Sequence, residues 1–373
     1  MGKLHDTYRL TITTLSPLHI GTGNILRQGY DYVPYQGQTW VFDAEVLADV
    51  LYQQDPDDFE HMVQGAPAGD LIRPNEYNPD SPLFRYVMQG QPRSKKQGSE
   101  IQEQLKDPWD CPYIPGSSLK GALRTALAAV GWQRRRLTFN PNTLDNSVKF
   151  AALPLERRVL GGTPDKPGNA PNYDLLRALQ VSDSTPGKRS DLRLLNVQVM
   201  VGGKAGSPIE IEAVRKEATF EATLTLDGFL RENAASRLGW QSEQLLWLKN
   251  IPPVVNGFTG PRLADEIQRW QGIKTLQSFY ATLAKKYEEL DKHSEFLLQL
   301  GWGGGWDSKT FSGVLTQNST VFAQVIRKYG KTLVRRGQYQ PGDRFPKSRR
   351  VVMQNGQPVA SLGWIKVHME RVK

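Results

Sequence analysis

The stretch YIPGSSLKGALR contains a serine and a lysine that could act together as a nucleophile and its base. Ser117 and Lys120 have the S-x-x-K spacing, in which a serine at a helix start is activated by a lysine one turn later. The companion motifs of such acyl-transfer enzymes are missing, because residues 181–184 spell VSDS rather than S-D-N and no K-T-G occurs. The sequence therefore does not favour acyl transfer.

The same stretch also has the composition of an anion site at a helix start. Gly116 breaks the preceding segment, and Ser117 or Ser118 is predicted to cap the helix that follows. The positive end of the helix dipole favours an anion, and Lys120 and Arg124 lie four residues apart on one helical face. This arrangement suits a nucleic-acid phosphate. The alternative is a plain helix cap beside two solvated cations.

A second segment with possible ligand chemistry is GWGGGWDSKT, near the C-terminal end. Its glycines let a backbone approach a ligand closely, while Trp302 and Trp306 could stack on bases. A phosphate-binding P-loop needs a glycine directly before its lysine, and Lys309 follows Ser308. The alternative interpretation is a helix stop with two core tryptophans. The glycines are Gly301, Gly303, Gly304 and Gly305.

Two further residues could act on RNA directly. His19, in the loop sequence SPLHIGTG, could serve as a general acid or base, or it could only order its own loop. Asp31, in GYDYVPYQG, could hold a metal beside RNA, or it could only cap a turn. The five histidines are scattered and Cys111 is the single cysteine, so we expect no metal site and no cofactor.

The composition indicates an anionic partner. The chain has 47 basic and 38 acidic residues, a formal net charge of +9 and a pI of about 9.4. Basic residues cluster at Arg134 and Arg135, at Arg157 and Arg158, and across residues 327–350. A mean hydropathy of -0.49, without a run of about 18 apolar residues, excludes an integral membrane protein. The start of the chain lacks a signal peptide, so a cytoplasmic location is expected.

Hydrophobic periodicity predicts a mixture of helices and strands. Apolar residues alternate in four predicted strands, and residues recurring every three to four positions predict helices after Asp43 and from Gly116. A Pro- and Gly-rich segment at about 54–110 is predicted to be an insertion that is at most partly helical. A helical tract is predicted from 262 to 300. The predicted strands cover 8–12, 192–201, 219–226 and 365–369.

This order of elements predicts an α+β fold of two tandem ferredoxin-like, RRM-like domains with insertions. The first domain is predicted to span residues 1–180, including the insertion. The second is predicted to span residues 181–373, with the glycine-rich loop at 301–305. The segment at about 161–172 is a loop by composition and supports a boundary near residue 180.

Four segments together resemble the RAMP superfamily of CRISPR effector proteins. They are LSPLHIGTG directly after the first strand, YIPGSSLKGALRTAL, VSDS and GWGGGWDSKT. The resemblance implies tandem ferredoxin-like modules that hold guide RNA, in agreement with the fold predicted from periodicity. Together with the basic residues it gives a predicted RNA-binding set: His19, Gly21, Gly23, Gly116, Ser117, Ser118, Lys120, Arg124, Arg134, Arg135, Gly301, Gly303, Gly304, Gly305 and Lys309.

The long insertion and the large second half look like the RAMP subunit that caps the backbone filament, the fifth subunit of type III-A (Csm) complexes. This resemblance implies binding of crRNA near its 3′ end and contacts with the backbone RAMP subunit and the small helical subunit. It also implies only indirect contact with target RNA, support for guide maturation by recruited nucleases, and no catalysis. Asp31 lies roughly where the backbone subunit has its RNA-cleaving aspartate, so a metal-dependent endoribonuclease using Asp31 and His19 stays open as the alternative.

Overall fold

The computed structural model describes residues 5–57, 59–94, 96–163, 167–310, 312–333 and 339–372. The strands are β1 (His5–Thr14), β2 (Gly21–Arg27), β3 (Tyr32–Tyr35), β4 (Gln38–Phe42), β5 (Phe84–Gln89), β6 (Glu100–Gln104), β7 (Leu179–Val181), β8 (Leu192–Val201), β9 (Lys204–Val214), β10 (Thr219–Asp227), β11 (Glu295–Gln299), β12 (Ser348–Gln354), β13 (Gln357–Ser361) and β14 (Trp364–Arg371). The helices are α1 (Ala44–Gln54), α2 (Phe59–Gly65), α3 (Gly116–Arg134), α4 (Leu153–Leu160), α5 (Ser242–Lys249), α6 (Ile251–Arg269), α7 (Lys274–Glu288), α8 (Ser312–Leu315) and α9 (Ser319–Leu333). No described helix is both long and apolar enough to cross a membrane.

One sheet has five antiparallel strands in the order β11-β14-β1-β10-β7. The path β1-α3-β7-β10-α6-β14 through this sheet follows the ferredoxin-like order of strands and helices. Leu10 and Ile12 of β1 are fully buried in the same core as Leu119 and Leu123 of α3. A helix with an apolar stripe thus covers a strand whose alternate residues are apolar, and the two elements share one core.

The second sheet has nine strands and includes β8 and β9 at its centre. Its main path runs β2-β6-β9-β8-β5-β4-β3, and β12 pairs with both β8 and β13. The pairs β6-β9 and β5-β8 are parallel, while β8 and β9 form an antiparallel hairpin. Strand β2 lies at an edge of this sheet. Its first five residues, 21–25, are all exposed. This edge forms one wall of the site described below.

The predicted α+β class is confirmed, and the two sheets are consistent with tandem ferredoxin-like RAMP domains. The four predicted strands are present as β1, β8, β10 and β14. The Asp43 carboxylate caps α1 by accepting from the backbone N–H groups of Glu45 and Val46, as predicted. The proposed boundary at residue 180 falls within β7, and both sheets contain strands from either side of it. The division into domains therefore stays a prediction.

Two predicted segments differ from the structure. Residues 54–110 are not limited to helix and loop, because β5 and β6 lie inside the nine-stranded sheet. Residues 262–300 are not one helical tract, because α6 and α7 are followed by β11. The glycine-rich loop consequently follows a strand rather than a helix. Its sequence still lacks the glycine that a P-loop requires before the lysine.

Candidate nucleic-acid interface

Three distant motif segments meet at one cleft of about 490 Å³. The backbone N–H of Trp302 donates a 2.8 Å hydrogen bond to the carbonyl oxygen of His19. A β-carbon built at Gly301 would lie less than 3.0 Å from the same oxygen, so only glycine permits this approach. Six of the predicted RNA-binding residues line the cleft, together with Trp302: His19, Gly21, Gly23, Ser118, Gly301 and Lys309.

His19 is buried at the cleft, where its ring contacts β9 and Trp302. Its side chain is buried, with only 1% exposed, and Nδ1 donates to the carbonyl oxygen of Glu212 at 2.6 Å. Burial lowers the pKa of His19 to about 4, so the ring is neutral at pH 7. The ring also packs edge-on against Trp302, with 5.7 Å between ring centroids. These contacts match the loop-ordering interpretation of His19 more closely than a role in proton transfer.

A buried ion pair lies beneath the cleft, and sequence reasoning missed it. Lys106 Nζ is 2.6 Å from Glu212 Oε2, and the two side chains are 3% and 0% exposed. Glu212 also accepts from the hydroxyl of Tyr86 at 2.6 Å and from the backbone N–H of Gln104 at 2.9 Å. These bonds offset the cost of burying the carboxylate, and they tie β9 to β5 and β6.

The rim of the cleft combines a neutralised carboxylate with two cations. Burial opposes the charged form of Glu103, but Lys106 and hydrogen bonds from Asn24 and Thr22 lower the pKa of its carboxyl group. On the other side, Arg350 lies over the ring of Trp302, with its guanidinium carbon 4.4 Å from the ring centroid.

Lys309 contributes the second cation of this rim. Partial burial and the charge of Arg350 lower the pKa of its ammonium group. The two cations therefore repel each other across the rim, and an anion bound between them would relieve that repulsion. The rim is thus electrostatically suited to a phosphate group.

The remaining glycines and Trp306 mostly face the protein. Gly303 is buried against Leu362, and Gly304 is buried against Ser308. Gly305 is half-buried, with open space around its α-carbon. Trp306 packs among aromatic rings, with its centroid 5.0 Å from that of Phe345, and it therefore belongs to the core as the alternative interpretation expected.

The start of α3 differs from the prediction. The helix begins at Gly116, before both serines, and its N-cap residue is Pro115, so neither predicted serine caps it. The Asp183 carboxylate accepts from the Gly116 backbone N–H at 2.8 Å and takes that role. A β-carbon at Gly116 would collide with the backbone oxygens of residues 181 and 182. The motif VSDS therefore holds the helix start in place. Ser118 lines the cleft and Ser117 is exposed.

Lys120 and Arg124 make intramolecular contacts. Lys120 Nζ donates to the carbonyl oxygen of Leu179 at 2.7 Å. Arg124 pairs with Asp174 at 2.8 Å and with Glu156 at 2.6 Å, so two carboxylates neutralise its charge. Burial alone would lower the pKa of Arg124, but these two carboxylates raise it. Neither side chain lines the cleft, and their predicted phosphate contacts stay a prediction.

Two other predicted cations lie at the far end of α3. Arg134 is eighteen residues beyond Gly116 in α3, which corresponds to about 27 Å along the helix. Arg135 is 3.4 Å from Glu243 and lies over the ring of Trp247. The glycine loops and these arginines therefore do not form one compact site. Within the basic run at 327–350, residues 334–338 lie outside the part of the chain that the structure describes.

Asp31 lies in the turn between β2 and β3. Its carboxylate accepts from the backbone N–H of Arg27 at 2.6 Å, which is the turn-capping role given as its alternative. Among the described residues, no group of three or more His, Cys, Asp or Glu side chains is arranged to hold a metal ion.

The chain matches a known family and known relatives over most of its length. The RAMP superfamily model matches residues 11–308. A Csm5 protein of Mycobacterium tuberculosis (strain CDC 1551 / Oshkosh) is 25% identical over 363 residues, covering 89% of this chain and 90% of the relative. A Csm5 protein of Streptococcus thermophilus is 28% identical, covering 50% of this chain and 54% of the relative.

Solved structures show the same likeness. A chain of the cryo-EM structure of a Csm-crRNA-target RNA ternary complex of a type III-A CRISPR-Cas system superposes with a TM-score of 0.71. It is 28% identical, and the match covers 97% of this chain and 100% of that one. The crystal structure of T. onnurineus Csm5 superposes with a TM-score of 0.60 at 24% identity, covering 95% of this chain and 99% of that one, and supports the fold. The chain therefore belongs to the RAMP superfamily of CRISPR proteins, and it is similar to Csm5 proteins along most of its length.

Proposed function

We propose that this chain is a non-catalytic RNA-binding subunit of a type III-A Csm complex and caps the backbone filament at the 3′ end of the crRNA. The observation that carries the proposal is the cleft, where the LHIGTG loop is hydrogen-bonded to the glycine-rich loop and the start of α3 contributes Ser118 to the lining. A phosphate of single-stranded RNA would lie near Lys309 and Ser118, with a base beside Trp302.

The proposed partners extend the likeness to Csm5 proteins and the family resemblance of the motifs. The chain would bind crRNA directly and target RNA only indirectly, and it would contact the backbone RAMP subunit and the small helical subunit. It would support maturation of the guide by recruited nucleases and act in the cytoplasm. Guides isolated from complexes that lack this chain should then be longer at their 3′ ends than guides from complete complexes.

Removal of one cleft cation tests the RNA contact. In Lys309→Gln, the affinity of the full chain for a labelled 12-nucleotide single-stranded RNA should fall several-fold. The slope of log K against log salt should become shallower by about 0.7, because one phosphate contact is lost. Lys285→Gln is the matched control, since Lys285 is an exposed lysine of α7. Equal RNA affinities of the two variants would count against an RNA contact at the cleft.

A cleavage assay tests the non-catalytic role. The purified chain is incubated with the same RNA, with and without Mg²⁺, and compared with Asp31→Ala. We expect intact RNA in every reaction, because the Asp31 carboxylate is engaged by its own turn. Metal-dependent cutting that disappears in Asp31→Ala would replace the capping proposal with the endoribonuclease alternative.

A further inference from the structure

Trp109 is the most exposed of the large hydrophobic side chains in the described residues, at 69%. It lies in the loop between β6 and α3, outside the residues that line the cleft. An indole with so much apolar surface in water is costly to leave without a partner, and aromatic side chains of this kind stack on the bases of single-stranded nucleic acids. The cleft does not account for the exposure of Trp109, because this side chain is not part of its lining.

Hydrogen bonds order the backbone of the loop around Trp109. The Asp107 carboxylate accepts from the backbone N–H groups of Trp109 and Cys111, both at 2.9 Å. The backbone of Asp107 is bonded to that of Cys111 at 2.9 Å, and Lys106 pairs with Pro112 at the base of the loop. Because the backbone is already ordered, binding through the indole costs little additional loop entropy.

Cations lie beside the backbone of Trp109. Arg189 Nε donates to the Trp109 carbonyl oxygen at 2.6 Å, and Nη1 donates to the carbonyl oxygen of Arg85 at 3.0 Å. Carbonyl oxygens fix the guanidinium without cancelling its charge. Arg85 in turn neutralises Asp110, with which it forms a two-pronged pair at 2.5 and 3.1 Å. Lys188 is exposed next to Arg189 in the chain.

The local charge is therefore positive. Within the described ranges, no carboxylate lies within 4.0 Å of the charged groups of Arg189 or Lys188. Of the two acids in this loop, Asp110 is buried and paired with Arg85, and the Asp107 carboxylate accepts from two backbone N–H groups. An exposed indole on an ordered backbone, with the Arg189 guanidinium bonded to the carbonyl oxygen of the same residue, matches the chemistry of a nucleotide, whose base can stack on the ring while its phosphate meets the cation.

We propose that Trp109, with Arg189 and Lys188, is a second contact for single-stranded RNA. The proposal rests on the RNA-binding function proposed above and extends it to a surface outside the cleft. A protein partner is the less favoured occupant, because Arg189 and Lys188 give this surface a positive charge that complements a phosphate chain.

The position of Trp109 fits one continuous strand of RNA. Glu103 of β6 lines the cleft, and Trp109 follows six residues later in the chain. Six residues of extended chain span at most about 20 Å, so the indole and the cleft are within reach of a few nucleotides. A strand leaving the cleft could therefore stack its next bases on Trp109.

Substitution of the indole tests the contact. In Trp109→Ala, affinity for a 12-nucleotide single-stranded RNA should fall about 5- to 150-fold, which is the range for losing one stacked base. Trp109→Phe should restore most of the affinity, since a phenyl ring still stacks. Phe229→Ala is the matched control, because Phe229 is an exposed aromatic residue elsewhere, at 54%. In Arg189→Gln, the salt slope should become shallower by about 0.7.

The outcomes separate this proposal from the cleft. If Trp109→Ala binds RNA like wild type while Lys309→Gln is impaired, the second contact is wrong and the cleft stands. If Trp109→Ala keeps its RNA affinity but no longer co-purifies with the other Csm subunits, Trp109 is a protein contact and the proposal is overturned. If wild type binds no RNA in the assembled complex, both proposals fail.

Discussion

Gly301→Ala tests whether the contact between the two motif loops organises the cleft. Gly301 has φ of +71°, a conformation that costs a side-chain-bearing residue about 1–2 kcal/mol. The new β-carbon would also collide with the His19 carbonyl oxygen, which is backbone and cannot rotate away. The loops would have to separate, and the hydrogen bond from Trp302 to His19 would be lost.

The size of the effect follows from these two causes. Loss of a largely buried hydrogen bond costs about 0.5–1.5 kcal/mol, and more if the carbonyl group stays buried without a partner. With the backbone strain, Gly301→Ala should lower the free energy of unfolding by about 2–4 kcal/mol. Gly356→Ala is the matched control: its φ is +75°, in the turn between β12 and β13, and a β-carbon there meets nothing within 4 Å. It should show only the strain of about 1–2 kcal/mol.

Two measurements distinguish the variants. Urea unfolding followed by tryptophan fluorescence gives the difference in stability, provided that the m-values agree. Hydrogen exchange of the Trp302 amide reports the loop contact itself, and protection should be lost in Gly301→Ala alone. RNA affinity should fall in the same variant. Equal destabilisation of the two variants, with the Trp302 amide still protected, would refute the idea that this contact organises the cleft.

Two further predictions concern the groups beneath the cleft. Lys106→Met leaves Glu212 buried without its ion-pair partner, so the free energy of unfolding should fall by about 3–5 kcal/mol in urea titrations; a loss below 1 kcal/mol would contradict the pairing. His19 has a folded pKa of about 4 and an ordinary value of 6.5, so the folded state binds fewer protons between these values. Its contribution to stability is therefore complete above pH 6.5 and falls by up to about 3 kcal/mol as the pH drops towards 4, a dependence that His19→Gln should remove in pH-dependent thermal unfolding.

Local periodicity predicted the elements whose two faces differ in polarity. Strands β1, β10 and β14 alternate clearly, and α3 carries a leucine at every fourth position, so these elements could be found from the chain alone. Strand β5 was missed, although Phe84, Tyr86 and Met88 alternate with exposed or half-buried residues. Its neighbours rich in Pro, Gly and Asp masked a signal only six residues long.

The candidate site was predicted less completely, because its supports come from distant segments. The motifs identified the loops that meet at the cleft, but the pair of Lys106 and Glu212 joins residues 106 positions apart. The cap of α3 shows the same limitation. A serine at the start of a helix is usually its cap, yet here Asp183 arrives from the end of β7 and takes that role. Local propensity cannot anticipate such a competitor.

Net charge was the least informative part of the sequence, for a physical reason. Arg124 and Arg349 are each held by two carboxylates, and Lys106 by Glu212, so these cations stabilise the fold and add little to an outer field. Their charges are already compensated at short range, and a phosphate would have to displace a bonded carboxylate to reach them. Lys309 and Arg189 differ, because each lies beside neutral or positive groups. We therefore expect an anionic strand to contact Lys309 and Arg189 before it contacts Arg124, Arg349 or Lys106.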